Sequence, residues 1–492
     1  MNSMLTSAGL WMLLLLGVLI VVTGLPVWTL LIGVASLFAA IGWLAGQIDF
    51  AILAALPGRM VGLLEHDLLQ ALPLYVFIGV LLQRLTLADR LFSSLQRLFG
   101  GGTGGASLAA LGVGALIAPM NGSVASSSAL LARLVAPRLG VMKPAAATSL
   151  ISVAATIGVV VPPSLVLILL GDAMLRAHTE ASNLPGFVLG SQRIINTQDV
   201  FNAALAPALG VLLLWVAVVF WQSRKLKHSE PLGRMRWTQE APSLFAVLAI
   251  VSLLAAVFTG KMFAVEAAAT GGSLLLMGAL VTRSLTGAQW ASVLTDTLAL
   301  TGALFALLVG ASTFSLIFRL LGTDRWIAEL LLSSTLAPLW TAWLALLAVA
   351  LCAWVLDAFE MIFVVIPIVA PPLIFMLGDA QQAAVLLLLV LQLSFLIPPM
   401  GYAVLMARSR SGLQAVATRT LIKALLPYIL VQCAVTALVF VLPWTVHQLD
   451  AASSTAADAQ PMSEQELENR MQEMVRQSEP LQAPPEPAVM AK

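Results

Sequence analysis

An apolar stretch long enough to cross a bilayer, Ile151 to Asp172 (ISVAATIGVVVPPSLVLILLGD), is broken in its middle by Pro162-Pro163. A proline has no backbone N–H and its ring clashes with the preceding turn, so a helix cannot pass through two in a row undisturbed. Polar backbone freed at bilayer depth is tolerated only inside protein or along a cavity. The break, with Thr156, Gly158 and Ser164 beside it, is therefore a candidate binding site. For a single kink, helix packing is the alternative reading.

The break recurs. Gln392 to Met406 (QLSFLIPPMGYAVLM) carries a second double proline, Pro398-Pro399, preceded by an apolar run containing Ser394. The two proline pairs are 236 residues apart. The same offset carries Asn121, in PMNGSVASSS, onto Asp357, in WVLDAFEM, and carries Arg84 to within one residue of Arg319. A basic helix end, a polar turn inside apolar sequence and a double proline thus repeat in order. An internal repeat of this kind points to a secondary transporter.

Hydrophobic residues make up 60% of the 492 and charged residues 10%, with mean hydropathy +0.97, so lipid is the main solvent of the folded chain. The fold class expected is an all-α polytopic membrane protein. The net charge of +1 says nothing about nucleic acid, but no basic run with interleaved aromatics occurs, and no nucleic-acid partner is expected. Cys352 and Cys433 fall in apolar spans as small hydrophobes, which argues against disulfides and metal clusters. No Walker A loop, HExxH or GxSxG motif occurs, which disfavours an ATPase or a familiar hydrolase. The apolar run Leu10 to Val22 lacks a preceding basic residue and reads as a retained span, not a signal peptide.

Apolar runs place further spans at Val27 to Leu44, Leu68 to Leu85 and Phe201 to Trp221 in the first half. The second half has spans at Leu244 to Phe258, Phe263 to Val281, Leu294 to Phe318 and Leu425 to Val446. Two stretches interrupted by polar turns read as re-entrant hairpins, at about 105–140 and 337–378. The broken helices occupy 145–172 and 382–406. Mixed sequence from Ala173 to Asp199 reads as a loop. Residues 1–221 then form a first repeat and 242–449 a second. They are joined by a basic linker, 222–241, with Arg224, Lys225, Lys227, Arg234 and Arg236. Threading from that linker as cytoplasmic places 16 of the 25 Lys and Arg inside and gives the halves inverted topology. The tail, 450–492, has a disordered composition, with a short helix expected around Glu464 to Val475.

Charges deep in apolar spans are costly and so point to function. Asp357, at the tip of the second hairpin, can help to hold a cation with hydroxyls and freed carbonyls, and Glu360 shares its face. Capping the broken helix, or pairing with an arginine, is the alternative role for both. Asn121, Gly122 and Ser123 form the first hairpin tip. Thr156, Ser164, Ser312 and Ser394 supply further oxygens. Asp172 reads as a span boundary, Arg319 and Glu266 as helix-end anchors.

These motifs resemble the large membrane subunit of tripartite ATP-independent periplasmic (TRAP) transporters. The likeness runs from Gly24-Leu25-Pro26-Val27 through ALPLYVFIGVLLQRLTLADRL, ATIGVVVPPSLVLILLGD and GASTFSLIFRLLG to VLDAFEMIFVVIPIVAPP and LQLSFLIPPMGYAVL. It implies an elevator-type, sodium-driven importer in a bacterial inner membrane, with no other cofactor. The implied partners are a small membrane subunit and a periplasmic binding protein that delivers an organic acid. The matching motifs imply a site at Asn121 to Ser123, Thr156 to Ser164 (with Gly158, Pro162 and Pro163), Gly310 to Ser312, Asp357, and Ser394 to Gly401 (with Pro398 and Pro399). Of these, Asn121, Ser123, Thr156, Asp357 and Ser394 are the implied sodium ligands. The chain departs from the family pattern: Ala155 stands where glycine is usual before Thr156, Leu393 and Ile397 stand where threonines are usual around the second break, and the first hairpin tip has Pro119-Met120. A self-sufficient ion-coupled carboxylate carrier of related fold remains an alternative, and an ion-channel or assembly subunit a more distant one.

Overall fold

The computed structural model describes residues 2–46, 48–49, 54, 56–64, 67–121, 123–139, 142–162, 164–184, 195–223, 237–332, 337–398, 401–410 and 416–449. Among them every regular element is helical. Helices α1 (Asn2–Thr23) and α2 (Val27–Leu44) meet at Gly24, whose φ of +63° suits a residue without a Cβ. Then come α3 (Leu56–Leu64), α4 (Asp67–Arg84) and α5 (Leu87–Leu98). The first hairpin is α6 (Gly102–Asn121) and α7 (Val124–Val135), and the first broken helix is α8 (Pro144–Val160) with α9 (Leu165–Ser182). Helix α10 (Thr197–Ser223) closes the first half.

The second half opens with α11 (Trp237–Phe258), α12 (Ala264–Val281), the 34-residue α13 (Gly287–Leu320) and α14 (Thr323–Leu332). Its hairpin is α15 (Pro338–Cys352), a helical turn at Ala358–Glu360, a π-helical stretch at Met361–Val365, and α16 (Ile366–Leu377). The second broken helix is α17 (Ala380–Ser394) with α18 (Tyr402–Arg410), and α19 (Thr418–Val441) follows. Helices α5 and α14, α6 and α15, and α8 and α17 begin 236 residues apart, the offset of the proline pairs. Met1–Gln448 forms one unit; of the second, Leu449–Lys492, only Leu449 is described. The tail and its expected short helix, and residues 224–236 of the basic linker, lie outside the described residues.

Among the described residues, seven helices are long and apolar enough to span a membrane, or nine with the bent pairs α4/α5 and α8/α9 each taken as one span. Large apolar side chains stand exposed along the outside, among them Val21 and Val22 of α1, Leu213 of α10, Val281 of α12 and Leu298 of α13. Only an apolar solvent makes such a surface stable. By contrast α8 is buried on every side from Ala147 to Val160, and α17 from Gln382 to Gln392. Both are apolar nearly all round, which is the pattern of a core helix. The broken helices therefore form the centre, wrapped by α6, α7, α10, α18 and α19, while α2, α4, α12 and α13 pack together to one side.

Several boundaries differ from those read in the sequence. Residues Ala173 to Ser182 continue α9 where a loop is expected, because Ala, Met, Leu, Arg and Glu favour helix. Their charges also pair along the helix: Arg176 Nη2 lies 2.9 Å from Asp172 Oδ2. Asp172 thus lies within α9, not at its end. Arg90 and Arg97 sit on α5, a helix turned 71° from α4, which buries Ala88, Leu91 and Phe92 and exposes Arg90. Ser223 still belongs to α10, and Trp237 already starts α11.

Candidate functional site

Helix α8 stops at Val160, and Val161 turns to φ −78°, ψ 116°. In an unbroken helix the N–H groups of residues 162 and 163 would return to the carbonyls of Gly158 and Val159, but both are prolines. Ser164 starts α9 as its N-cap: its Oγ accepts from the Leu167 N–H at 3.1 Å, and its hydroxyl lies 3.5 Å from the Val159 carbonyl. Among the described residues nothing donates to the Gly158 carbonyl. Pro162 is buried; Pro163 lies outside the described residues.

Two glycines hold the first hairpin against this break. An ideal Cβ on Gly114 would lie 2.5 Å from the Ala154 carbonyl oxygen, and one on Gly158 would lie 2.5 Å from that of Ala118. The two contacts advance together by four residues, so α6 and α8 run parallel with their backbones touching, as small residues allow in membranes. At the hairpin tip Ser123 is the extended N-cap residue of α7 and is partly buried, and its side chain makes no capping bond. Asn121 ends α6, its side chain outside the described residues, as is Gly122.

The second hairpin brings an acid to the second break. Asp357 is the N-cap residue of the turn that leads into the π-helical stretch, and Glu360 Oε2 accepts from its backbone N–H at 2.9 Å. Capping is therefore the observed role of Glu360. Asp357 is partly exposed as a residue, yet its Oδ1 is shielded from solvent and has no hydrogen-bond partner among the described residues. Among the described residues no arginine or lysine pairs with it. A buried carboxylate oxygen without a partner is costly, and such an atom calls for a ligand. Asp357 and Glu360 lie within electrostatic reach of Tyr402, the first residue of α18, whose ring is 6.2 Å from that of Phe395.

Unlike the first break, the second is tied by its own backbone. Its carbonyls at Ser394, Phe395 and Ile397 accept from the N–H groups of Ile397 (3.3 Å), Ala403 (3.2 Å) and Gly401 (2.9 Å). Gly401 is required by close approach, since a Cβ there would fall 2.8 Å from the carbonyl oxygens of both Ile397 and Phe395. Pro398 is buried and Pro399 lies outside the described residues. The hydroxyls of Thr156 and Ser394, both fully buried, donate within their own helices to Val153 and Val390, and their lone pairs stay available.

Gly310 takes a different place from the one its motif implies. A Cβ there would lie 3.0 Å from the Trp28 carbonyl oxygen, so this glycine lets α13 and α2 pack closely. Ser312 is partly buried on α13, which packs against the π-helical stretch after Asp357. Arg319 ends α13 and pairs with Glu180 of α9, and Glu266 caps the Phe263 N–H at the start of α12.

The structure adds two residues that the motifs leave out. Gln392 of α17 and Gln432 of α19 are fully buried, and Gln432 Nε2 donates to Gln392 Oε1 at 2.8 Å. Gln392 Nε2 in turn donates to the Thr156 carbonyl at 3.3 Å. The available signal was a glutamine inside an otherwise apolar span, where an unsatisfied amide is expensive.

Residues 13–445 match the family described as "Tripartite ATP-independent periplasmic transporter, DctM component". The chain is 22% identical over 431 residues to the sialic acid TRAP transporter permease protein SiaT of Haemophilus influenzae, covering 86% of this chain and 65% of that protein. It therefore spans somewhat less than two thirds of that relative's length. It is 25% identical to the large permease protein SiaM of a sialic acid TRAP transporter from Vibrio cholerae, covering 85% of this chain and 93% of that one. To the C4-dicarboxylate TRAP transporter large permease protein DctM of Pseudomonas aeruginosa it is 23% identical, covering 75% and 82%. The fold is similar to that of the YdaH transporter of Alcanivorax borkumensis, with TM-score 0.60 at 16% identity, covering 90% of this chain and 99% of that one.

Proposed function

From the premise that this chain belongs to the DctM component family of tripartite ATP-independent periplasmic transporters, we propose that it is the membrane-spanning permease of a sodium-driven importer of organic acids. It is a multi-pass membrane protein and a transporter subunit, not an enzyme. The finer reading places it in a bacterial inner membrane beside a small membrane subunit. There it takes a small carboxylate from a periplasmic binding protein.

The observation that carries this reading is that, among the described residues, Asp357 Oδ1 at a hairpin tip has no hydrogen-bond partner and nothing donates to the Gly158 carbonyl at the first break. Hard cations take oxygen ligands. No cluster of three His, Cys, Asp or Glu forms among the described residues, so a cation here is held mostly by neutral oxygens, which suits a monovalent ion. The oxygens of Ser123, Thr156, Ser394 and the Gly158 carbonyl, with Asp357, are the ligands to test. The hairpins and broken helices form the mobile part, related as inverted repeats, while α2, α4, α12 and α13 form the fixed part. Substrate anions are met by helix amino ends, since the sequence on either side of the two breaks, 151–172 and 392–406, carries no Lys or Arg.

The test is uptake of labelled sialic acid and labelled C4-dicarboxylate into proteoliposomes holding this chain and its small subunit. An inward sodium gradient and the binding protein are each supplied or withheld. Uptake that needs both, and is lost in Asp357→Asn, supports the reading. Sodium-driven uptake without the binding protein indicates a self-sufficient carrier instead, and downhill flux indifferent to sodium indicates a channel.

A further inference from the structure

We infer that Gln392, held by Gln432, is a positioning residue that sets the first break for sodium and joins it to the second broken helix. This rests on the sodium reading above. The Thr156 carbonyl lies in the last turn of α8, one half-turn before the uncommitted carbonyl of Gly158. Gln392 Nε2 reaches that carbonyl from α17, two residues before α17 itself ends. Thr156 and Gln392 are 236 residues apart, the offset of the proline pairs, so equivalent positions of the two broken helices touch each other.

The contact is built to be rigid. Gln392 offers its amide N–H to α8 only in one orientation, and its Oε1 must then accept. Gln432 supplies the donor at 2.8 Å and sends the same amide nitrogen to the Leu389 carbonyl at 3.2 Å. Two acceptors fix which end of the Gln432 amide is nitrogen, and that end fixes the Gln392 amide. A helix carbonyl already bonded within its helix has no need of a second donor for stability. Two fully buried amides arranged in series on that carbonyl are therefore better explained by geometry than by satisfaction.

A second glutamine provides an internal control. Gln382, on the same helix α17, also bridges to α19, donating to the carbonyls of Val439 (2.9 Å) and Phe440 (3.0 Å), far along the helix from the break. If buried amides between α17 and α19 serve only packing, removing either should have the same consequences.

The test is sodium binding to the purified full chain in detergent, read as thermal stabilisation by NaCl against an equal concentration of choline chloride. For Gln392→Met the sodium concentration for half-maximal stabilisation should rise about tenfold, equivalent to ~1.4 kcal/mol. Gln432→Met should shift it in the same direction, and the double variant by less than the product of the two. Gln382→Met should lower the melting temperature without moving the half-maximal concentration. An unchanged sodium midpoint in Gln392→Met and Gln432→Met, or an equal shift in Gln382→Met, overturns the positioning role. Should Gln392→Met not fold, Gln432→Met decides alone. A wild type with no sodium effect overturns the sodium reading itself and the inference with it.

Discussion

Alanine at Gly158 tests whether the first hairpin and the first broken helix are one rigid piece. Its Cβ would lie 2.5 Å from the Ala118 carbonyl oxygen and 2.7 Å from the Ala118 Cβ. Normal carbon contacts are about 3.5–4.0 Å, so α6 and α8 must separate by roughly 1 Å. Both neighbours are backbone or Cβ, and no rotamer change can relieve the clash. Overpacking of this kind costs about 1–3 kcal/mol, against up to ~1 kcal/mol returned by alanine's better helix propensity. The net expectation is destabilisation by about 1–2 kcal/mol. Gly210, on α10, has nothing within 4 Å of an added Cβ, so Gly210→Ala keeps only the propensity gain. Thermal denaturation of the full chain in detergent should rank Gly210→Ala at or above wild type and Gly158→Ala below it. Gly114→Ala should behave like Gly158→Ala, and the double variant should lose less than the sum, because one separation relieves both contacts. Sodium-driven uptake should fall with Gly158→Ala, since the same shift carries the Gly158 carbonyl with it. A Gly158→Ala protein as stable as Gly210→Ala would refute the direct backbone contact and the rigidity drawn from it.

Three further expectations follow from single contacts. Ser164→Ala removes the acceptor for the Leu167 N–H and should cost about 1 kcal/mol of stability, with Ser164→Thr, which keeps a neutral hydroxyl, retaining most of it in the same melting assay. Glu360→Leu strands the buried Asp357 N–H and should cost about 1–3 kcal/mol, whereas Glu360→Gln keeps an acceptor oxygen and should retain both stability and uptake. A double-mutant cycle on Glu180 and Arg319, both about a third or more exposed, should give a coupling below ~1 kcal/mol that fades at 1 M salt. A larger, salt-resistant coupling there would show the pair to be desolvated.

Much of the helix plan was legible because its punctuation is covalent. Pro162-Pro163 and Pro398-Pro399 must end a helix wherever they stand, and Gly24 followed by Leu25-Pro26 must turn. The polar turns at Asn121 and Asp357 stood out because charge and amide are rare in apolar sequence. Helix α5 and the continuation of α9 to Ser182 were less legible. Their polar residues fit a loop composition, and only the packing of Leu91 and Phe92, or the pairing of Asp172 with Arg176, shows a helix. Of the candidate site, Asp357 and the first break were readable, but the division of labour between Asp357 and Glu360 was not. Both are carboxylates three residues apart, and the choice of cap depends on where the backbone N–H points.

By itself the sequence determined the solvent, the helical class, the order of spans and the two places where backbone must come free. Those properties follow from local composition and from the chemistry of proline. Tertiary structure decided which freed groups are retaken: the second break recaptures its carbonyls through Gly401 and Ala403, whereas among the described residues nothing donates to the Gly158 carbonyl at the first. It also decided that Gly310 serves helix packing, and that Gln392 and Gln432 lead from α19 to the Thr156 carbonyl. Hydrogen bonds and close approaches between residues 40 to 282 positions apart depend on how helices cross, and helix crossing is set by packing that no local pattern encodes.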